Sequence, residues 1–445
     1  SDVAEARQYI KSADAYGKVS ARQWNGTRLP YKNNLINLLV VEKANDLSTQ
    51  EMMRVLAPHG VAYIKTPDGW RKKTKKWPSE IDEWRHYMHD PQGSFLSKDK
   101  RVGPPKGMRW KGGPKWARSH EHTAGMHALV SAEGRMFHVM DEGPTESIQL
   151  PSRYVLTARN AFNGVVLWKK ELPQWFNDLY PLKSGPAYMP RRLIAKKDTV
   201  YVAPGPGKKL MALNATTGDV RRRYANTATT RELICSAGTI FAVVDSDKEM
   251  VDYKQQHANC WRERDRARNK WAWENKSSER IMAVDRNTGE TKWVMKTPIA
   301  PLTLAANAHM VCFYDGTRVV ALDRENGEVM WESRKLKQMR HLPTGYGGPR
   351  VLLHGEYVLF SPRNKIFALR ADSGSVAWKT GSKPRSGHYS PEDLFVVDGT
   401  VLSGGTAGGN NSKYVCYDLV TGEKTNVYRN EVGAFYIHQR CYPGR

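Results

Sequence analysis

Hydrophobic and polar residues alternate in short runs along most of this chain, and a turn signal breaks each run. Leu129–Met140, Leu193–Val202, Leu233–Val244, Leu302–Tyr314, Val351–Phe360 and Leu394–Leu402 each read as two strands around a hairpin. A third strand follows each of them and ends in one recurring phrase, A-x-(D/N)-x-x-(T/N/S)-G-x-x-x-W. The first copy runs from Ala158 through Asn160 and Gly164 to Trp168. The phrase glycines are Gly164, Gly218, Gly289, Gly327, Gly374 and Gly422. Trp168, Trp293, Trp331 and Trp378 complete four copies, while Arg222 and Asn426 replace the Trp in the other two.

The phrase has a mechanical reading. The Asp or Asn side chain accepts from the amides of a tight turn, and the Gly takes a positive φ. The Trp, on the returning strand, docks its ring against the neighbouring unit. Repeated units of about four antiparallel strands predict an all-β propeller over residues 105–445. Six blades are recognisable, and residues 433–445 look like the entrance of another, so the parent is expected to have seven or eight. An insertion at about 245–280, with Trp261, Trp271 and Trp273 among interleaved charges, reads as a charged excursion over one rim.

The phrase resembles the tryptophan-docking motif of the PQQ-type, quinoprotein dehydrogenase-like propellers, a superfamily that also includes outer-membrane assembly factor lipoproteins. That resemblance implies the propeller fold and a periplasmic or otherwise extracytoplasmic location. It leaves function open, because the fold carries both enzymes and scaffolds.

Residues 1–66 have a different pattern. Helices are predicted at Ala4–Ser12 and Ser48–Leu56, and strands at Val19–Trp24, Leu35–Glu42 and Val61–Ile64, which makes an α/β unit. The run Leu35–Glu42 followed by Arg54-Val-Leu-Ala-Pro-His-Gly60 resembles the second half of a class I SAM-dependent methyltransferase, a half Rossmann-like segment. His59 stands where that family has a glycine. The family's Gly-rich turn and ribose-binding acid would belong upstream of Ser1, so SAM binding is not expected. A methyltransferase-like segment ahead of a PQQ-like propeller resembles a family of large bacterial fusion proteins. Residues 67–104 read as a basic and aromatic linker containing Arg71–Lys76 and the pair His86 and His89.

Composition narrows the chemistry. Lys and Arg total 69 against 45 Asp and Glu, a formal charge of +24, which favours anionic partners. No nucleic-acid-reading motif accompanies that charge, and the longest apolar run, Leu35–Val41, is too short for a membrane span. The five cysteines are far apart, which disfavours zinc ribbons, c-type haem and the adjacent-cysteine disulfide that one quinoprotein class uses.

Aligning the blades by their turns gathers candidate ligand-binding residues at the blade openings: Arg118, His120, His122, Arg192, Arg231, Arg340, His341, Arg385, His388, His438 and Arg440. Such a ring would bind an anionic small molecule, a polysaccharide or an acidic protein surface. His120, His122, His341 and His388 also make a candidate metal set, for Zn²⁺ or Mn²⁺. The leading expectation is a non-redox binding and scaffolding module. Two alternatives stay open: a quinoprotein-type oxidoreductase using PQQ and Ca²⁺, and a metal-dependent lyase or hydrolase acting on anionic sugars. Catalytic residues are not assigned by any motif.

Overall fold

Each recurring phrase sits where the third strand of a four-stranded antiparallel sheet turns into the fourth. The computed structural model describes the chain except residues 1, 25, 44–46, 104–106, 115–125, 147–149, 174, 176–188, 206, 246–272, 275–278, 337, 339–340, 343–348, 363–364, 382–392, 406–412 and 430–445. Two units are distinguished, residues 1–79 and 80–445.

The larger unit contains six four-stranded sheets among its described residues, at 126–171, 193–223, 230–296, 305–332, 350–380 and 393–429. Each is a simple meander from first to fourth strand, and the first strands of successive sheets lie side by side. Such a set is consistent with a β-propeller, and we number the sheets as blades 1 to 6. The first three strands of each blade are largely buried. The fourth alternates, as in Lys296's strand Thr291–Lys296, where Trp293 is inward and Val294 outward.

The turn of each phrase is closed by its own residues. In blade 3 the Asp285 carboxylate accepts from the amides of Asn287 and Thr288, both at 2.8 Å, and the Gly289 amide donates to Asp285 O at 2.9 Å. These hydrogen bonds, the Thr288 amide first, hold the Asp285 carboxyl below its usual pKa.

Each phrase Trp lies on the phrase glycine of the next blade. Trp168 Nε1 donates to Ala215 O at 3.0 Å, Trp293 to Arg324 O at 3.0 Å, Trp331 to Ala371 O at 2.8 Å and Trp378 to Leu419 O at 2.8 Å. The glycines beneath adopt φ of +67° to +79°. A Cβ on Gly218 would come within 2.7 Å of the Trp168 ring, so glycine is required there twice over, by φ and by space. Arg222 substitutes for the ring over Gly289 by donating its guanidinium to Thr288 O. A further Trp does the same work: Trp110 Nε1 donates to Ala161 O at 3.1 Å and its ring covers Gly164.

The insertion in blade 3 separates its second and third strands. Of it, Trp273–Glu274 is described, pairing antiparallel with His341–Leu342. Trp261 and Trp271 lie outside the described residues.

In residues 1–79, Ile36–Val41 pairs parallel with Leu56–Thr66, which pairs antiparallel with Gly69–Thr74. The helix Thr49–Val55 is capped by Ser48, whose hydroxyl accepts from the Glu51 amide at 3.1 Å, and it buries Met52 and Val55. Asp2–Ser12 is helical and buries nothing. His59 has φ of +63°, the conformation a glycine supplies without cost. Two expectations are corrected here. Val19–Trp24 forms no strand; an isolated bridge joins Tyr16 to Val19. Most of the basic run Arg71–Lys76 belongs to the strand Gly69–Thr74, exposed along its whole length, where lysines discourage a further strand from pairing.

Candidate functional site at the propeller axis

The blade openings begin at the N-terminal ends of the first strands, and the described part of that region is a buried network of charge. Arg191, 3% exposed, sits just ahead of the first strand of blade 2, in the short 3-10 turn Met189–Arg192. Its Nη1 lies 3.1 Å from Glu232 Oε2, and its Nη2 donates to Leu304 O. Glu232, fully buried in the first strand of blade 3, also accepts from the Leu302 amide at 3.1 Å. Beside it Arg231 pairs with Glu279 and donates to Ile299 O at 2.7 Å. Glu279 Oε2 in turn accepts from Trp273 Nε1 at 3.0 Å and from the Ile299 amide at 2.8 Å.

Three blades therefore meet through two carboxylates and two guanidinium groups. Charges buried this deeply persist only when paired and hydrogen-bonded. Arg192 is likewise committed: Nη1 donates to Trp175 O at 2.7 Å, with the guanidinium 5.9 Å from the Trp175 ring centre. Arg350, fully buried, donates to Gly93 O and lies 4.6 Å from the Phe95 ring centre.

The stretch that carries Gly93 and Phe95 also carries the histidine pair. His86 to His89 is a tight hairpin in which the His89 amide donates to His86 O at 2.9 Å. His86 Nε2 accepts from the Cys235 amide at 3.1 Å, so that nitrogen bears no proton. Burial pushes the His86 pKa down to about 3. His89 is opposite in character. Its Nε2 lies 2.7 Å from Asp82 and its Nδ1 3.3 Å from Asp90, and against the desolvation that lowers it, these carboxylates raise its pKa. Asp90, despite a burial that works the other way, is held at about 2 by His89 and Ser94.

The His89 pairs give a pH signature. A raised folded pKa means the pairs stabilise fully below the unfolded value near 6.5 and lose that contribution as pH rises through the folded pKa. His89→Gln is expected to lower the urea midpoint most at pH 6, with the deficit shrinking steadily toward pH 9. A deficit that grows with pH would contradict this assignment.

Residues 277–434 match the family of the outer membrane protein assembly factor BamB. That stretch spans the third and fourth strands of blade 3 and all of blades 4 to 6. Among solved structures, BamB from Moraxella catarrhalis is 13% identical, with 67% of this chain and 72% of that one covered at a TM-score of 0.41. A europium-containing methanol dehydrogenase is 9% identical over 79% of each chain, TM-score 0.46. The quinohemoprotein alcohol dehydrogenase ADHIIG from Pseudomonas putida HK5 is 12% identical, covering 78% of this chain and 66% of its own, TM-score 0.47. No curated protein matches the chain.

Of the candidate ring at the blade openings, the structure places two side chains, Arg192 and Arg231, and finds both buried and engaged internally. Arg118, His120, His122, Arg340, Arg385, His388, His438 and Arg440 lie outside the described residues, and of His341 the backbone alone is described. The metal set His120, His122, His341 and His388 falls within that limit. Among the described residues no group of three or more His, Cys, Asp or Glu is placed to hold a metal ion. Cys235, Cys312 and Cys416 are free and buried, and burial raises the pKa of each thiol. No helix among the described residues is long and apolar enough to cross a membrane.

Sequence reasoning passed over Glu232, Glu279 and Arg191, which make the axial network, and Trp110. A signal for Trp110 existed, since it precedes Gly164 by about the interval that separates Trp168 from Gly218.

Proposed function

We propose that this chain is a propeller binding module that engages an acidic protein partner, rather than a redox enzyme. The observation that carries this reading is the state of the axial carboxylates. A quinoprotein would need free carboxylates near the axis to ligate Ca²⁺ and act as base. Among the described residues the carboxylates there are Glu232 and Glu279, and both are consumed by Arg191, Arg231, the Trp273 indole and two backbone amides. The match of residues 277–434 to an assembly-factor family supports a protein partner. The excess of 24 positive charges supports an acidic one.

Under this reading the contact ring is formed by the candidates of the blade openings that lie outside the described residues: Arg118, Arg340, Arg385 and Arg440, with the histidines beside them. For residues 1–66 we carry forward the likeness to half of a class I methyltransferase. It is supported by the parallel pairing of Ile36–Val41 with Leu56–Thr66 around the helix Thr49–Val55. The extracytoplasmic location stands as a proposal on the same family likeness.

Poly-L-glutamate serves as a probe of acidic polypeptide, with polygalacturonate as the sugar comparison. Binding of polyglutamate is expected to weaken about tenfold or more between 50 and 200 mM salt, as for contacts made by several surface charges. The Arg118→Gln, Arg340→Gln, Arg385→Gln variant should bind at least about tenfold more weakly with an unchanged melting temperature. Binding that ignores both salt and these substitutions would overturn the reading. Tighter capture of polygalacturonate would transfer it to a sugar ligand.

A further inference from the structure

The first strand of each blade turns one edge toward the axis, and five of those edges are paired with a single stretch of chain. The Ser131 amide donates to Trp84 O at 2.7 Å, Ala195 to Arg85 O at 3.0 Å and Cys235 to His86 Nε2 at 3.1 Å. The Ala306 amide donates to Pro91 O at 2.8 Å, and Leu353 to Gln92 O at 3.1 Å. The donors belong to blades 1, 2, 3, 4 and 5, in that order, and the acceptors follow in the same order from residue 84 to residue 92. Every donor is the last or next-to-last residue of its strand.

Blade 6 completes the set through its side chain. Phe395 packs with Tyr87, Met88, Phe95, Leu302 and Trp84, and Arg350 is held between Gly93 O and the two phenylalanine rings. Tyr87, Met88 and Phe95 are each 3% exposed or less. A stretch lying free as a spacer would expose such residues and would not meet six blades in register.

Amides along an unpaired strand edge must be satisfied by water or by another backbone, and an exposed edge is a template for a further segment. We propose that the rim where the first strands end is a peptide-accepting surface, and that this chain fills it with its own residues 84–95, closing the channel at that end. The segment it fits is a backbone that offers two pairs of adjacent carbonyls and one imidazole acceptor, with one tight apolar turn between the pairs to enter the axis. A ligand reaching the axis then has to enter from the opposite end, where the first strands begin. The inference rests on contacts separate from the axial charges and survives if the binding reading fails.

Two experiments on the full chain test it. Amide hydrogen exchange should find Ser131, Ala195, Cys235, Ala306 and Leu353 protected at least about 100-fold more than exposed turn amides such as Gly355, since each would otherwise open onto the channel. Met88→Asp, which puts a charge into the apolar turn, should speed exchange at those five together by about tenfold while leaving Val376–Thr380 in the outer strand of blade 5 unchanged. Equal acceleration in that outer strand would count against the proposal, as would five unprotected amides in the unaltered protein. Independently, a protease site placed at Arg101–Gly103 allows the chain to be cut after folding. The N-terminal piece should co-elute with the remainder in native buffer and separate in urea. A piece that leaves spontaneously, with the remainder keeping its β-sheet circular dichroism, would overturn the proposal.

Discussion

Glu232→Leu is expected to cost about 3–5 kcal/mol of folding stability, the range for removing one partner of a buried ion pair. The size follows from what is left behind. Arg191 is 3% exposed, and with Glu232 gone its guanidinium keeps, among the described residues, one carbonyl partner, Leu304 O, in a buried site. The Leu302 amide loses its acceptor in the same change. Replacing the pair together, Glu232→Leu with Arg191→Met, removes the orphaned charge and is expected to recover most of the loss. Urea denaturation of the two variants checks both signs. A single variant within about 1 kcal/mol of the unaltered protein would show that the axial network contributes little.

Trp293→Ala is expected to cost about 3–5 kcal/mol, as for other large buried side chains cut to Ala. The ring is 9% exposed, packs among Phe241 and the strands of blades 3 and 4, and spends its N–H on Arg324 O. Gly327→Ala is expected to cost roughly 2 kcal/mol or more for two reasons. Its φ is +78°, and the new methyl group would stand 2.6 Å from the Trp293 ring. The two substitutions should be less than additive by about 1 kcal/mol, because without the indole the methyl group has room and the strain of φ alone remains. Strict additivity, read from the same denaturation midpoints, would mean that ring and glycine do not act as one contact.

The blades were legible because their signal is local. An Asp or Asn that closes its own turn, a Gly at positive φ and a Trp four residues on are read within one stretch of sequence, as at Asp323, Gly327 and Trp331. The site was less legible because it is assembled from distant residues. Arg231 recurs in phase at a blade opening, yet whether such a residue faces solvent or the interior depends on its partner, and Glu279 is 48 residues away in the chain. The aromatic stretch around His86 and His89 reads as a linker by composition, and nothing nearby declares that its acceptors will meet five separate strands. Gly69–Thr74 failed for a related reason: lysines suit a solvated loop and an exposed edge strand equally. His59 shows the limit of motif matching, since a histidine there holds a positive φ of +63°, which the residue type does not announce.

Glu232 and Glu279, the carboxylates described at the axis, are held in internal ion pairs, and the proposed role is that of a binding module. The most direct measurement is equilibrium titration of PQQ with Ca²⁺ into the full chain, followed by absorbance and by dye-coupled alcohol oxidation. With Glu232 and Glu279 already committed, no saturable uptake of the quinone and no oxidation above the protein-free rate are expected. Stoichiometric quinone binding with Ca²⁺-dependent turnover would contradict it.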